Sequence, residues 1–348
     1  MSKVVIFTEP RRLTIEDIDD RDLGEHEVRL RTLYSGISAG TELTAYRGSN
    51  PYLHKRWDDA RRLFVPDAET SLHFPVAGFG YEECGEVVEV GAAVTKVRIG
   101  DRIYGTWGHR THHIVTEERA AQCILPQNLD PILGIFSHMG AIALNGVLDA
   151  AIRIGETVAV FGLGTPGQMI AQLAKRSGAQ VIGVDPIDLR RDVACQLGAV
   201  DEALSSSDGA VAERIRELTG GRGADVCIEA SGAYAALHEA IRSAAYSAKV
   251  VTLGFFQGEG AGLRLGEEFH HNRINLVCSQ IYGVNPELTY RWNRERLVQT
   301  AMQLQAQGVL NLRPIITHVL PFTDAAEAFR LCDLEPHKTI QVVLDFTA

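Results

Sequence analysis

Apolar and polar positions follow two different rhythms along the chain. Up to about residue 125 the apolar residues recur at every second position in short runs: VVIF near the start, HEVRLRTLYSGI from His26, CGEVVEVG from Cys84 and HHIVTEERAAQCIL from His112. That is the period of half-buried strands, and Gly100-Asp101 adds a turn signal between two of them. Strands this short and close together predict a small barrel or sandwich. After about residue 127 the rhythm changes. TVAVFGLG, PGQMIAQLAKRSG, AQVIGVD, RRDVACQLGA, ADVCIEASG, YAALHEAIRSA and AKVVTLGFF alternate short apolar runs with amphipathic stretches of helical period. The sequence predicts a parallel sheet with helical crossovers there. From about residue 285 a helix around ERLVQTAMQLQAQG precedes the strand IITHVLP, the helix DAAEAFRLC and the strand TIQVVLDF.

One segment fits neither rhythm. NPYLHKRWDDARRLFVPDAETSL, Asn50 to Leu72, is charged, aromatic and weakly periodic. It reads as a surface insertion or as a lid or binding loop.

The most specific local pattern is VAVFGLGTPGQMIAQLAKRSGAQVIGVD. Gly162, Gly164 and Gly167 stand in G-x-G-x-x-G spacing after a strand and at the start of a helix. Gly162 permits the tight turn, Gly164 the approach of a pyrophosphate, and Gly167 close helix–strand packing. With Thr165 and Pro166 they place the N–H groups of a helix N-terminus around an anion, and Pro166 is tolerated there because those N–H groups lack helical partners. The next strand ends in Asp185, whose carboxylate suits ribose hydroxyls and repels a 2′-phosphate. Pro186, Ile187 and Asp188 follow, and Arg190 and Arg191 lie farther along on the next helix. NAD(H) is therefore expected rather than NADP(H). Ser231 with Gly232, and Gly254 with Phe255, end later strands and are further cofactor candidates.

Composition narrows the class. The 348 residues suit about two domains. A formal net charge of −10 argues against nucleic acid and anionic membranes as partners. The six cysteines are scattered without a CxxC pair, which suits reduced thiols in a cytoplasmic protein. The N-terminus lacks the apolar region of a signal peptide, and no run approaches 18 apolar residues, so no membrane span is expected.

EVRLRTLYSGI, AGTEL, GYE, GDRIYG, GLGTPG, GADVCIEASG, KVVTLG and FTDAAEAFRL…TIQVVL together make the whole chain resemble the medium-chain dehydrogenase/reductase superfamily, the zinc alcohol dehydrogenases and quinone reductases. The resemblance implies an α/β fold: a GroES-like β-rich catalytic domain, residues 1–126 and 286–348, around a Rossmann doubly wound parallel-sheet domain, residues 127–285. It also implies a homo-oligomer, a dimer or tetramer, with AKVVTLGFF as a candidate edge strand. Zinc relatives carry ligands in Cys-Gly-Thr-Asp and Gly-His-Glu segments; the matching residues here are Ala39-Gly40-Thr41-Glu42 and Gly80-Tyr81-Glu82. Neither alanine nor a neutral tyrosine is a good zinc ligand. No cysteine lies between Cys84 and Cys123, where a structural zinc lobe would fall, so no metal is expected. Locally SGISAGTE and GYE are similar to bacteriochlorophyllide dehydrogenase, a zinc-less branch.

Without zinc, hydrogen-bond donors must stabilise charge on the reacting oxygen. Tyr81 is the first candidate, with a nearby cation expected to lower its pKa. Thr41 matches the family's relay hydroxyl, His138 falls near a third-ligand position and suits a base, and Glu82 and Glu42 orient neighbours. His109, His112 and His113 in GHRTHHIV read as solvated or packing residues, since alternation parts neighbours. Tyr282, Arg291 and Trp292, near the expected domain junction, are substrate-pocket candidates. The expected activity is zinc-independent, NAD-dependent interconversion of a secondary alcohol (polyol, sugar-like or ring-bearing) and a ketone. The alternatives are a quinone or enone C=C reductase and a non-catalytic NAD(H) sensor.

Overall fold

The computed structural model describes residues 1–66 and 69–348. The chain opens with β1 (Ser2–Glu9), β2 (Arg12–Ile18), β3 (Glu27–Ile37) and the short helix α1 (Thr41–Arg47). The Asn50–Leu72 segment, of which Asp67 and Ala68 lie outside the described residues, forms a hairpin of β4 (Arg56–Asp58) and β5 (Leu63–Val65). Trp57 faces Phe64 across it, and Tyr52 packs on Phe64 at 5.3 Å. Asn50 anchors its base: the side-chain amide donates to Thr44 Oγ1 at 2.6 Å and Oδ1 accepts from the Tyr52 N–H. Then come β6 (Val76–Ala77), β7 (Glu83–Val90), β8 (Arg102–Gly105), β9 (His112–Thr116), α2 (Glu117–Gln122) and α3 (Ser137–Ala150).

The second half runs β10 (Thr157–Phe161), α4 (Thr165–Arg176), β11 (Gln180–Val184), α5 (Asp188–Gln196), β12 (Glu202–Leu204), α6 (Val211–Leu218), β13 (Ala224–Glu229), α7 (Tyr234–Ser243), β14 (Ala244–Thr252), β15 (Asn275–Cys278) and α8 (Arg294–Ala306). The chain closes with β16 (Ile316–Pro321), α9 (Ala325–Leu334) and β17 (Gln341–Asp345).

These elements divide into two compact units, Met1–His138 with Ile316–Ala348, and Met139–Ile315. Residues 286–315, expected with the chain ends, pack with the second unit instead. Ala301 of α8 approaches Gly140 so closely that a Cβ there would lie 2.8 Å away, and Gln172 of α4 exchanges hydrogen bonds with the Asn311 backbone.

In the first unit β17, β3, β7 and β8 form an antiparallel run, with β16 parallel to β17 and β9 also on β3. One core holds Phe7, Leu43, Tyr46, Phe329 and Leu344, each large side chain stabilising by about 1.5–3 kcal/mol when buried. The second unit is a six-stranded parallel sheet in the order β12-β11-β10-β13-β14-β15. All five residues of β10 are buried, as expected of a strand covered on both faces. AKVVTLGFF supplies β14, which lies between β13 and β15 and is not an edge; the edges are β12 and β15.

Among the described residues one helical stretch, Pro131–Ala150, has the length and hydropathy of a membrane span, with a mean hydropathy of 1.5 in its most apolar window; 78% of that window is buried inside the protein, as in a core helix.

Candidate active site

α1 leaves β3 through Ser38–Gly40, and β7 is entered through Gly80–Glu82, so the two segments expected to carry the chemistry meet inside the first unit. The Tyr81 hydroxyl lies 2.5 Å from Ser38 Oγ and also hydrogen-bonds Thr41. The His138 ring stands edge-on to Tyr81, centroids 5.0 Å apart. Glu82 is fully buried; its Oε2 accepts from the Gln341 amide at 3.0 Å, while Oε1 finds no partner among the described residues. Tyr81, Thr41, His138 and Glu82 thus lie near one another inside the first unit.

The electrostatics differ from the expectation. Burial foremost, then the fields of Glu82 and Glu42, raise the Tyr81 pKa above its ordinary value, against the hydrogen bonds from Ser38 and Thr41. Tyr81 is therefore a neutral phenol, not one whose pKa a nearby cation has lowered. Glu82 is pushed well above the usual carboxylate range by burial and by its neighbours Glu42 and Glu83. It holds a proton.

Of the layer beneath, sequence reasoning named Glu42 as an orienting carboxylate but missed its partners. Glu42 Oε1 accepts from the Ser38 N–H at 3.0 Å, and Oε2 faces His109 Nε2 at 2.7 Å. His109 Nδ1 faces Ser35 Oγ at 2.7 Å; Ser35 donates to Glu83 Oε1 at 3.2 Å, and Glu83 Oε2 accepts from the Trp107 N–H at 2.6 Å. Ser35, Glu42, Glu83 and His109 are all fully buried. His109 is no solvated histidine: it precedes β9, so strand alternation does not govern it. His112 instead meets Ser2, and His113 stacks on Trp107. The available signals were the doubled acid Glu82-Glu83 and a histidine between two glycine-bearing loops.

A zinc ion does not fit these residues. Position 39 offers no ligating atom, the Tyr81 phenol keeps its proton against two hydroxyls, and among the described residues no three His, Cys, Asp or Glu side chains form a metal-holding group.

A nicotinamide dinucleotide does fit the second unit. A Cβ on Gly167 would lie 1.8 Å from the Gly162 carbonyl oxygen, whereas one on Gly164 meets nothing within 4 Å. The first close approach locks helix to strand; the second position leaves room for a pyrophosphate at the start of α4, where Thr165 and Pro166 sit. Asp185 is buried after β11 and accepts from the N–H groups of Leu163 at 2.8 Å and Ile187 at 2.9 Å. Arg190 and Arg191 are closer than the sequence suggested. Arg190 NH1 is 3.7 Å from Asp185 Oδ2, and Arg191 donates to the Asp185 carbonyl at 2.5 Å. Ser231 bonds Glu229, the Gly254 backbone abuts Gly232, and Phe255 is 40% exposed.

The proposed pocket residues do not share one contact. Tyr282 and Arg291 are exposed, and each aromatic ring takes a different cation: Arg294 over Tyr282, Arg291 over Tyr290 and Arg296 over Trp292.

Comparison with known proteins completes the assignment. Residues 24–160 match the alcohol dehydrogenase GroES-like domain, and residues 167–307 match the zinc-binding dehydrogenase domain. A D-guloside 3-dehydrogenase of Escherichia coli (strain K12) is 32% identical over 99% of this chain and 100% of its own. The chain belongs to the medium-chain, alcohol dehydrogenase-like oxidoreductases. Its two units are the GroES-like and Rossmann-type domains of that family. An alcohol dehydrogenase of E. coli CFT073 complexed with NADH shares the fold at a TM-score of 0.78 and 21% identity, covering 99% of both chains. A dehydrogenase of Sinorhizobium meliloti 1021 bound to NADP does so at 0.79 and 22%, also covering 99% of both. The chain is therefore an alcohol dehydrogenase-like oxidoreductase.

Proposed function

We propose that this oxidoreductase works without zinc and uses NAD(H) to interconvert a secondary hydroxyl of a sugar-like ring, of the glycoside class named by its relative, and the corresponding ketone. The observation that carries the reading is Tyr81: a buried neutral phenol, backed by Ser38 and Thr41, where zinc relatives are expected to place a ligand.

The dinucleotide supplies the hydride acceptor or donor. The loop Gly162–Gly167 and the start of α4 hold its pyrophosphate, and Asp185 retains lone pairs for ribose hydroxyls beyond the two backbone N–H groups it already accepts. Tyr81 takes the charge role. Its oxygen can accept from Ser38 while its own proton is donated to the reacting oxygen, so developing alkoxide meets a preplaced donor in a buried setting. Proton return runs through the Ser38 and Thr41 hydroxyls, and His138 beside the ring is the candidate terminal base. Burial and the neighbouring carboxylates Glu42 and Glu83 disfavour the charged form of Glu82, which limits the negative charge set against the alkoxide.

A second reading concerns the cofactor alone: Arg190 and Arg191 beside Asp185 favour acceptance of a 2′-phosphate, and hence NADP(H). Initial rates with NAD and NADP across a panel of glycosides, free sugars and polyols, read at 340 nm, test both. Turnover of a glycoside with NAD at the higher kcat/KM supports the proposal. Preference for NADP overturns the cofactor assignment, and no turnover of any sugar-ring alcohol overturns the substrate class.

A further inference from the structure

We propose that His109 is a positioning residue for the reaction: as an imidazolium held between Glu42 and Ser35, it neutralises Glu42 and thereby fixes Ser38 against Tyr81. This rests on the reading of Tyr81 as the donor to the reacting oxygen.

Hydrogen counting supports the charge. With Glu83 ionised, Ser35 donates its one hydroxyl proton to Glu83 Oε1. Toward His109 Nδ1, at 2.7 Å, Ser35 Oγ must therefore accept, so Nδ1 carries hydrogen. Nε2 lies 2.7 Å from Glu42 Oε2, a charge-assisted distance, and the other Glu42 oxygen is occupied by the Ser38 N–H. The ring is wedged from several sides. A Cβ on Gly80 would lie 3.1 Å from both His109 Nε2 and Glu83 Oε1, and the Phe329 ring of α9 meets the imidazole edge-on at 5.6 Å. The His109 N–H donates to the Phe79 carbonyl at 3.4 Å. The loop that delivers Tyr81 thus lies directly on the imidazole.

The titratable groups around it are Glu42 from α1, Glu82 and Glu83 at the head of β7, Tyr81 before it, and Cys332 from α9, whose thiol senses Glu42 and Glu82. Burial alone would make His109 neutral, but Glu42, by field and hydrogen bond, and Glu83 outweigh it and raise its pKa. An unneutralised Glu42 would do two things. Its field would raise the Tyr81 pKa further, and its carboxylate, without the imidazole at 2.7 Å, would shift and release the Ser38 backbone that sets the Tyr81 contact.

The test combines kinetics with spectroscopy on the full chain. His109→Gln keeps a donor toward Glu42 but not the charge. It should lower kcat by about tenfold or more with KM changed by no more than about threefold, the pattern of an interaction expressed in the transition state. The double variant Glu42→Gln/His109→Gln removes the stranded carboxylate and should recover part of that loss; a merely structural role makes the double variant worse than the single. In the unaltered protein, ¹⁵N-histidine NMR, with the His109 signals assigned by their loss in His109→Gln, should show both ring nitrogens protonated from about pH 6 to 8. A neutral imidazole in that range overturns the proposal even where a variant fails to fold. So does a double variant less active than the single. Tyr81→Phe separates the two levels. If it is impaired while His109→Gln has normal kcat and pH profile, only the positioning role fails. If Tyr81→Phe is itself unimpaired, the reading beneath it fails.

Discussion

Replacing Tyr81 by phenylalanine removes one oxygen atom and leaves the ring in place. In the folded protein that oxygen bonds Ser38 at 2.5 Å and Thr41 as well, so two hydroxyls lose a shared partner. Net hydrogen-bond values of about 0.5–1.5 kcal/mol each set the folding loss, offset by no longer burying a phenolic hydroxyl; a change of about 1 kcal/mol is expected. The catalytic loss is larger, because the donor acts where charge develops in a buried site. Removing one such donor lowers kcat by about 10²–10³, or roughly 2.7–4 kcal/mol. KM should change little, since the contact strengthens only as the alkoxide forms. The assay is steady-state NADH formation at 340 nm with the best glycoside substrate, beside a urea titration to show the fold intact. A variant with wild-type kcat and an unchanged pH profile refutes the role of Tyr81 and passes the donor assignment to His138.

Three further outcomes follow from the geometry. Gly167→Ala puts a methyl 1.8 Å from the Gly162 carbonyl oxygen, so the loop must move; overpacking of about 1–3 kcal/mol should weaken NADH binding roughly ten- to a hundredfold in a fluorescence titration, and an unchanged Kd contradicts the close approach. Glu83 is pushed up to about 7, by burial first, from an ordinary 4.5, against the opposing effects of His109, the Trp107 N–H and Ser35. Its folded form prefers the proton, so its penalty is absent below pH 4.5, grows as pH rises to 7 and reaches about 3 kcal/mol above that; Glu83→Gln should be relatively more stable than wild type at pH 7.5 than at pH 5 in urea unfolding, and parallel pH slopes contradict this. Asp333, whose side chain is 4% exposed, accepts from Arg11 and Arg47. Burial opposes its ionisation, but these two guanidinium groups lower its pKa, so its contribution is present above the usual carboxylate value and is lost as pH falls through the depressed one. Asp333→Asn should cost about 1–2 kcal/mol at pH 7, discounted because both arginines are partly exposed, and a melting temperature equal to wild type would refute it.

What could be read from the sequence was local. The alternating runs of β3 and β7, the buried run of β10 and the glycine loop before α4 each declare themselves within a dozen residues, because strand period and turn chemistry are short-range properties. The Tyr81, Thr41 and His138 cluster was accessible through the resemblance, which aligned separated segments. The layer beneath was not, apart from Glu42, which the resemblance offered as an orienting carboxylate. Ser35, Glu42, Glu83, His109 and Gln341 come from β3, α1, β7, the loop before β9 and β17, and nothing in the periodicity of one segment points to the others. His109 was hidden by proximity to His112 and His113, although the strand begins only at His112. Residues 286–315 looked like a return to the first unit because their pattern departs from the βαβ rhythm, yet α8 packs with the second. Arg190 and Arg191 seemed remote from Asp185 because sequence distance ignores the turn into α5, which folds both back onto it.

The central claim is that hydroxyl groups, with a charged buried layer behind them, do the work a metal does in zinc relatives. The most direct measurement is elemental analysis of purified protein by mass spectrometry, paired with turnover before and after exhaustive chelation. The account predicts less than about 0.1 zinc per chain with unchanged kcat and KM after chelation, as expected of a site lacking three suitable ligands. Near one zinc per chain, with activity lost on chelation and restored by zinc alone, would contradict it.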